Sequence, residues 1–349
     1  MRRGVGPWED IRNRLLRRGI QAVCGAPDFV STSAAADISL LSGGLRFAFV
    51  RALGALGVES FVARSGLGYD FLCHTGDLSE YPFYHRRAFE KELAICVGWL
   101  DQEDAPIVYD LGANVGFVST HLAQMLADRS PTIYAFEPAP ETYRRLVASV
   151  ERLGLTGRVQ PFLAAATDRR GKVRIAYEKG NSLHTRVLSD GADDASAGSA
   201  IWAAGVTLDE FSASRGAPPA LIKMDIEGSE VAALRGAAAL LSQRDPPAIL
   251  FEHNPVSLAQ CGVGIAALYQ LLADYTFYYI DDLRGQIAPM GSPVVSFGRI
   301  DWICNIFAAP RGAASAARWA AALRHAQQRL AARERRRTHR MEWRNAAAE

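Results

Sequence analysis

The sequence has little of what would mark it for a membrane, an oxidising compartment or nucleic acid. Its most apolar early stretch, residues 34–63, is interrupted by Arg46, Arg51 and Glu59, so no run has the length and purity of a membrane span. Arginines stand near the N-terminus, but no apolar segment of signal-peptide kind follows them. The five cysteines, Cys24, Cys73, Cys96, Cys261 and Cys304, form no close pair, which excludes a disulfide framework or a zinc knuckle. They read as small buried hydrophobes of a reducing compartment, and the expected location is cytoplasmic. Neither sign of charge dominates: 39 Lys and Arg face 37 Asp and Glu, a net +2. No 20–50-residue repeat is visible.

What is present is a chain able to bury a large core. Of its 349 residues, 49% are hydrophobic and 22% charged, which allows one large domain or two ordinary ones. The charge is unevenly placed. Residues 311–349 hold ten arginines and three glutamates, a surplus of +7, so the residues before them carry 2 − 7 = −5. That Ala- and Arg-rich end reads as a solvated, partly frayed terminal helix. A basic tail without interleaved aromatics or a second basic patch is no nucleic-acid signature, and no nucleic-acid partner is expected.

Taken in order, the chain opens with a short amphipathic piece, Ile11 to Val23, then helical spacing from Leu40 to Leu56. Two strand-like runs between Val58 and Cys73 flank Ser65-Gly66-Leu67-Gly68, a hairpin. An aromatic loop, Tyr81 to His85, precedes a helix from Arg87 to Leu100. From there strands and helices alternate for roughly 200 residues, which predicts a mostly parallel sheet with helices on both faces. The expected strands are 107–111, 131–137, 159–166, 172–177, 220–226, 248–254, 277–280 and 302–308. Residues 179–204 show no period and are rich in Ser, Gly, Ala and Asp, so they read as a long loop. The expected division is a helical cap with its lead-in hairpin over 1–84, the main domain over 85–309, and the helical tail over 310–349.

The informative stretch is Ile107 to Phe117, an apolar run ending in Asp110-Leu111-Gly112-Ala113-Asn114-Val115-Gly116. Strand, tight turn and helix follow one another, as at the nucleotide crevice of a parallel sheet. Gly112 and Gly116 let the backbone turn and let a ligand come close. The spacing is not the G-x-G-x-x-G of a dinucleotide site, and the glycine that brings backbone to pyrophosphate is missing. A carboxylate at Asp110 would repel phosphate and suit a cationic or amine-bearing ligand. Glu137, at the end of the next strand and followed by Pro138, is placed to take a ribose diol. A nucleoside with a charged, phosphate-free tail satisfies all of this, and S-adenosylmethionine is such a molecule. The rivals are an NAD(P)-dependent oxidoreductase, which the missing glycine opposes, and a non-catalytic nucleoside-binding module, which an intact turn opposes.

Four blocks then occur in order: Asp110 to Gly116, Ala135-Phe136-Glu137-Pro138, Val206-Thr207-Leu208-Asp209, and Ile222-Lys223-Met224-Asp225-Ile226-Glu227-Gly228-Ser229-Glu230. Together they resemble the FkbM-type S-adenosylmethionine-dependent methyltransferases over roughly residues 85–309. The first block is shared by many methyltransferases, whereas the last is particular to this family. The resemblance implies a class I, Rossmann-like α/β fold with a seven-stranded sheet whose last strand is antiparallel. It also implies O-methylation of a hydroxyl on a sugar, glycan or secondary metabolite. Ser149 and the stretch 179–204 depart from the family's pattern. The expected cofactor set is Asp110, Gly112, Asn114, Gly116, Glu137 and Pro138, with Asp168 in the turn after the third strand.

An alcohol acceptor must lose its proton, so a base belongs at the carboxyl ends of the strands beside the cofactor crevice. The candidates are Asp225, Glu227, Glu252 and His253, with Asp225 taken as the carboxylate nearest the methyl group. His253 has the better intrinsic pKa, but Glu252 and His253 alternate on their strand and only one of them faces the site. Glu230 falls in a helix's first turn, where a structural role suffices. Asp209, Asp225, Glu227 and Glu252 could together hold a divalent cation such as magnesium, yet no tight Asp-x-Asp run marks a metal site and none is assigned. Lys223, inside a strand, needs one of these acids as a partner.

Overall fold

The computed structural model describes residues 43–65, 67–76, 89–178, 181–188, 199–281, 286–290 and 303–346. The amphipathic piece Ile11–Val23, the aromatic loop Tyr81–His85 and most of 179–198 lie outside them. The chain divides into two units, residues 1–88 and 89–349. In the first, helix α1 (Gly43–Ala55) precedes a hairpin of β1 (Ser60–Arg64) and β2 (Asp70–His74), paired antiparallel from Ser60↔His74 to Arg64↔Asp70. The expected turn closes it, with the Gly68 amide donating to the Ser65 carbonyl at 2.9 Å.

The second unit carries the alternation. Helix α2 (Glu90–Leu100) leads to β3 (Ile107–Leu111), α3 (Phe117–Met125), β4 (Thr132–Phe136), α4 (Pro140–Arg152) and β5 (Val159–Phe162). Then come β6 (Ala165–Ala166), β7 (Gly171–Glu178), β8 (Asn181–Val187), β9 (Ser199–Val206), α5 (Leu208–Arg215) and β10 (Leu221–Met224). The chain continues with α6 (Glu230–Arg235), α7 (Ala238–Leu241), β11 (Ala248–His253), α8 (Pro255–Gln260) and α9 (Ile265–Leu271). It ends with β12 (Tyr275–Asp281), β13 (Gln286–Pro289), β14 (Cys304–Pro310) and α10 (Ala313–Ala346).

The main sheet runs β13-β12-β14-β11-β10-β3-β4-β5. β5, β4, β3, β10 and β11 are mutually parallel, and the last strand, β14, pairs antiparallel with both β11 and β12. The class I methyltransferase arrangement expected from the sequence is therefore present, with an eighth strand, β13, added at the edge. Strand order reverses between β3 and β10, so the carboxyl ends of these two strands flank the crevice. The central strands are almost wholly apolar, as strands covered on both faces must be; Tyr109, Ile222, Met224, Ile249 and Phe251 are all buried.

Three expectations need correcting. The third strand, expected over 159–166, breaks after Phe162, and β6 joins a second sheet of order β6-β9-β7-β8. Residues 179–204 are not a structureless loop. β8 and β9 both pair antiparallel with β7, through Ile175↔Val187 and Arg174↔Trp202 among others. The tail also differs from the solvated helix expected. α10 packs on α2, burying Trp319, Ala322 and Ala326, and Trp319 stacks on Tyr278 with centroids 3.7 Å apart. The approach is close because α2 offers Gly98, where a Cβ would lie 2.7 Å from the Ala322 carbonyl oxygen.

Candidate functional site

The site is built where three turns meet: those after β3, β10 and β11. After β3 the backbone turns left-handed at Gly112 (φ 71°), Asn114 (φ 51°) and Gly116 (φ 88°). A Cβ on Gly112 would overlap the carbonyl oxygen of Asp225, and one on Gly116 would meet Leu146 Cδ1 at 2.6 Å. The first glycine is thus demanded by the neighbouring turn as well as by its own φ.

Glu137 lies just past β4 with its carboxylate held between two amides, Asn114 N at 3.1 Å and Ala139 N at 2.9 Å. It is almost fully buried. Burial pushes its pKa up to about 7, against the pull of those two amides. Pro138 continues the chain to α4, which starts at Pro140. Asp168 is exposed in the turn after β6, where its carboxylate accepts from Thr167 Oγ1 at 3.3 Å. It does not join the group around Glu137 through any hydrogen bond found among the described residues.

Asp110 is fully buried, and its two oxygens are engaged from inside the fold. Ser119 Oγ donates to Oδ2 at 2.6 Å, and Lys223 Nζ lies 3.2 Å from Oδ1. The parallel register sets this pair, since Lys223 stands opposite Asp110 on the adjacent strand. Lys223 Nζ also donates to the Gly112 carbonyl at 3.1 Å and lies 3.7 Å from Asp225 Oδ2. Burial alone would lower the lysine's pKa, but Asp110 and Asp225, with Glu252 adding to them, hold it above its ordinary value. The expected partner for Lys223 is therefore there, and it is two carboxylates. Asp110 supports the glycine turn through Lys223, which differs from an acid presented to a ligand's amino group.

The third part is acidic. One oxygen each of Asp225, Glu227 and Glu252 lies within 4.8 Å of the others. Glu227 sits at φ 52°, a left-handed conformation that costs a non-glycine residue energy and concentrates at functional sites. Ser257 Oγ donates to Glu227 Oε2 at 2.9 Å, and Asn254 Nδ2 to Glu252 Oε2 at 3.1 Å. Burial, then Asp225, pushes Glu227 up to about 7, while Ser257 and Arg186 oppose the rise. The same two causes, with Glu227 added, push Glu252 up to about 8. Glu230 plays the helix-start role: its Oε1 accepts from the amides of Ile226 (3.3 Å) and Gly228 (3.4 Å). Burial raises it too, to about 7. The second sheet reaches this turn through the Val187 amide, which donates to Ser229 Oγ at 3.3 Å.

Of the four candidate catalytic residues, Asp225, Glu227 and Glu252 come together. His253 does not. Alternation sends its ring to the other side of β11, where it is buried with Nδ1 3.3 Å from Tyr269 Oη. Asp209 likewise leaves the acid cluster: its carboxylate accepts from the amides of Ala239 (2.9 Å) and Leu240 (3.0 Å) and caps α7. Sequence reasoning missed Ser119, Ser257 and Arg186. A helix-facing serine nine residues after Asp110 carried no signal, and Arg186 lay in the stretch read as a loop.

Residues 110–279 match the family model described as methyltransferase FkbM domain. The chain is 26% identical over 137 residues to the hexuronic acid methyltransferase AglP of Haloferax volcanii, covering 39% of this chain. It spans about half, 52%, of that relative's length. Among solved structures it is similar to an FkbM methyltransferase from Methylobacillus flagellatus, with a TM-score of 0.38 and 18% identity over 59% of this chain and 44% of that one. It is also similar to an O-methyltransferase from Bacillus cereus in complex with SAH, with a TM-score of 0.39 and 13% identity over 84% of this chain and 100% of that one. No helix among the described residues is long and apolar enough to cross a membrane. The glycine turn, the acid after β4 and the acidic block after β10 all lie inside the segment that matches the methyltransferase FkbM domain.

Proposed function

We propose that the protein transfers a methyl group from S-adenosylmethionine to a hydroxyl of a sugar or glycan. The observation that carries this is the meeting, at the carboxyl ends of the central strands, of the left-handed glycine turn with carboxylates raised to about 7 and about 8. The residues fit the cofactor. Glu137 is a buried carboxylate that accepts from two backbone amides among the described residues, so ribose hydroxyls would add the hydrogen bonds that a buried charge needs. Gly112, Asn114 and Gly116 shape the backbone around it, with Pro138 following. When bound, S-adenosylmethionine supplies an electrophilic methyl group on a sulfonium.

The chain's own part is to hold the acceptor in line and to take its proton. Positioning alone is worth roughly 7–11 kcal/mol in well-oriented systems. Glu252 is the proton acceptor in this reading, with Glu227 beside it. A group titrating near the working pH combines the right protonation state with enough basicity, and a placed base adds about 10² to 10⁴ in rate. Asp225, facing Lys223, orients the acceptor hydroxyl by accepting from it. The three carboxylates offer oxygens to a divalent cation as well, and metal dependence is no part of the proposal. The sugar class draws support from the hexuronic acid named for the Haloferax relative.

Thermal unfolding with S-adenosylmethionine is the first test. At a hundred times its Kd the cofactor should stabilise the protein by about 2.7 kcal/mol, and an unmoved Tm at millimolar concentration would sink the proposal. The second is S-adenosylhomocysteine release across a panel of uronic acids, neutral sugars and glycosides. Release with none of them, despite cofactor binding, would remove the sugar acceptor while leaving the cofactor in place.

A further inference from the structure

The second sheet has two unlike faces. Register partners share a face, and strand alternation puts Val173, Ile175, Val187, Ile201 and Ala203 on one of them. These pack around Ala139 and Ala165 and form a small core of their own. The opposite face carries Lys172, Arg174, Arg186 and Trp202. Arg174 stands directly across from Trp202, and Ala176, two residues on, stands across from Arg186. Among the described residues this face carries three cations, with Glu178 following Ala176 at the end of β7 as its one carboxylate. Trp202 is 66% exposed, the most exposed of the large hydrophobics found on the surface. A folding argument explains the inner face and leaves the outer one unexplained: an indole and a row of cations add nothing to a core they do not touch.

The row has a direction. Lys172 lies at its far end, and Arg186 at the near end is close enough to Glu227 to oppose the rise of that acid's pKa. Val187, next along, is fastened to Ser229 in the turn after β10. The strip therefore ends at the acid cluster, and successive same-face residues are about 6.6 Å apart along a strand and about 4.8 Å apart across strands.

We infer that the outer face of β7, β8 and β9 binds an acidic oligosaccharide. Trp202 supplies a platform for a sugar ring, and Lys172 and Arg174 meet its carboxylates. One hydroxyl is thereby led to the acid cluster. This rests on the sugar-acceptor reading above and extends it to a chain of charged sugars held outside the crevice. Charge complementarity selects the occupant. A nucleic acid would also favour cations and an indole, but its phosphates would be carried against Asp225, Glu227 and Glu252, whereas sugar hydroxyls donate to those carboxylates.

The test uses the full chain with oligogalacturonate as probe, a neutral maltooligosaccharide and single-stranded DNA as comparators, and the variants Trp202→Ala and Arg174→Glu. Oligogalacturonate should bind and weaken as salt is raised, and each substitution should reduce its affinity about tenfold or more. S-adenosylmethionine affinity and Tm should stay at the wild-type values in both variants, which separates a failure here from a failure of the cofactor reading. Three results would each overturn the inference. They are equal binding of the neutral oligosaccharide, unchanged oligogalacturonate affinity in both variants, and tighter binding of DNA than of oligogalacturonate.

Discussion

Glu137 binds two backbone amides, yet its pKa is still raised to about 7 because burial outweighs them. Hydroxyl donors from a ribose favour its charged form, so cofactor binding at pH 6.5 should release part of a proton. Calorimetry in buffers of different ionisation enthalpy would measure this, and Glu137→Gln should abolish the release. The same substitution should weaken S-adenosylmethionine about tenfold or more, since hydrogen bonds to a charged group are worth about 1.5–3 kcal/mol. An unchanged affinity would place the ribose elsewhere. Lys223 calls for a different experiment. With Asp110 fully buried beside it, Lys223→Met leaves a charge without its partner and should destabilise the fold by about 3–5 kcal/mol. Adding Asp110→Asn should recover a good part of that loss in denaturant titrations. If the double variant were no more stable than the single one, the pair would not act as a unit.

Elements differed in how far the sequence betrayed them. β3, β4, β10 and β11 were legible because strands buried on both faces are continuous apolar runs, and their turns carry glycine or an acid at the strand end. The hairpin of the first unit was legible from its turn. β8 and β9 were not, because the outer face of that sheet mixes cations, alanines and an indole without a clear period and the strands exist through pairing with β7, a non-local fact. The acid cluster was half legible. Spacing put Asp225 and Glu227 at one turn and Glu252 at another, and alternation said that Glu252 and His253 diverge, but only the packing of Tyr269 decides which one turns inward. Asp209 looked like a site acid and proved to be a helix cap. α10 shows the same limit, as its charge pattern hid the buried stripe Trp319, Ala322 and Ala326. Gly98→Val should force α10 away from α2 and cost at least about 1–3 kcal/mol, seen as a lower urea midpoint. An unshifted midpoint would show that this helix pair contributes little.

At the scale of the whole molecule the acids set the pH response. Glu137, Glu227, Glu230 and Glu252 all titrate higher in the fold than a free glutamate does. Between roughly pH 4.5 and 8 the unfolded chain holds fewer protons at these four positions than the native one, so they make stability fall as pH rises. Their contribution is fully present below about pH 4.5 and is lost as pH passes through 7 to 8. Each pKa unit corresponds to about 1.4 kcal/mol before solvent screening. Chemical denaturation across that range should show Glu252→Gln flattening the slope and raising neutral-pH stability. A slope as steep as that of the wild type would mean that the cluster relaxes in solution.

The contact between Gly112 and the Asp225 carbonyl has a consequence for how such an enzyme changes over evolutionary time. The backbone of the glycine turn and the backbone of the acid turn meet in one seam that leaves no room for a side chain at Gly112. In the proposed reaction, a change of acceptor written there would disturb the glycine turn in the same stroke. The outer strip of β7 to β9, fastened to the acid turn through Val187 and Ser229, lies beyond that seam. In the proposed reaction it is where new acceptors can be tried while the glycine turn is left alone.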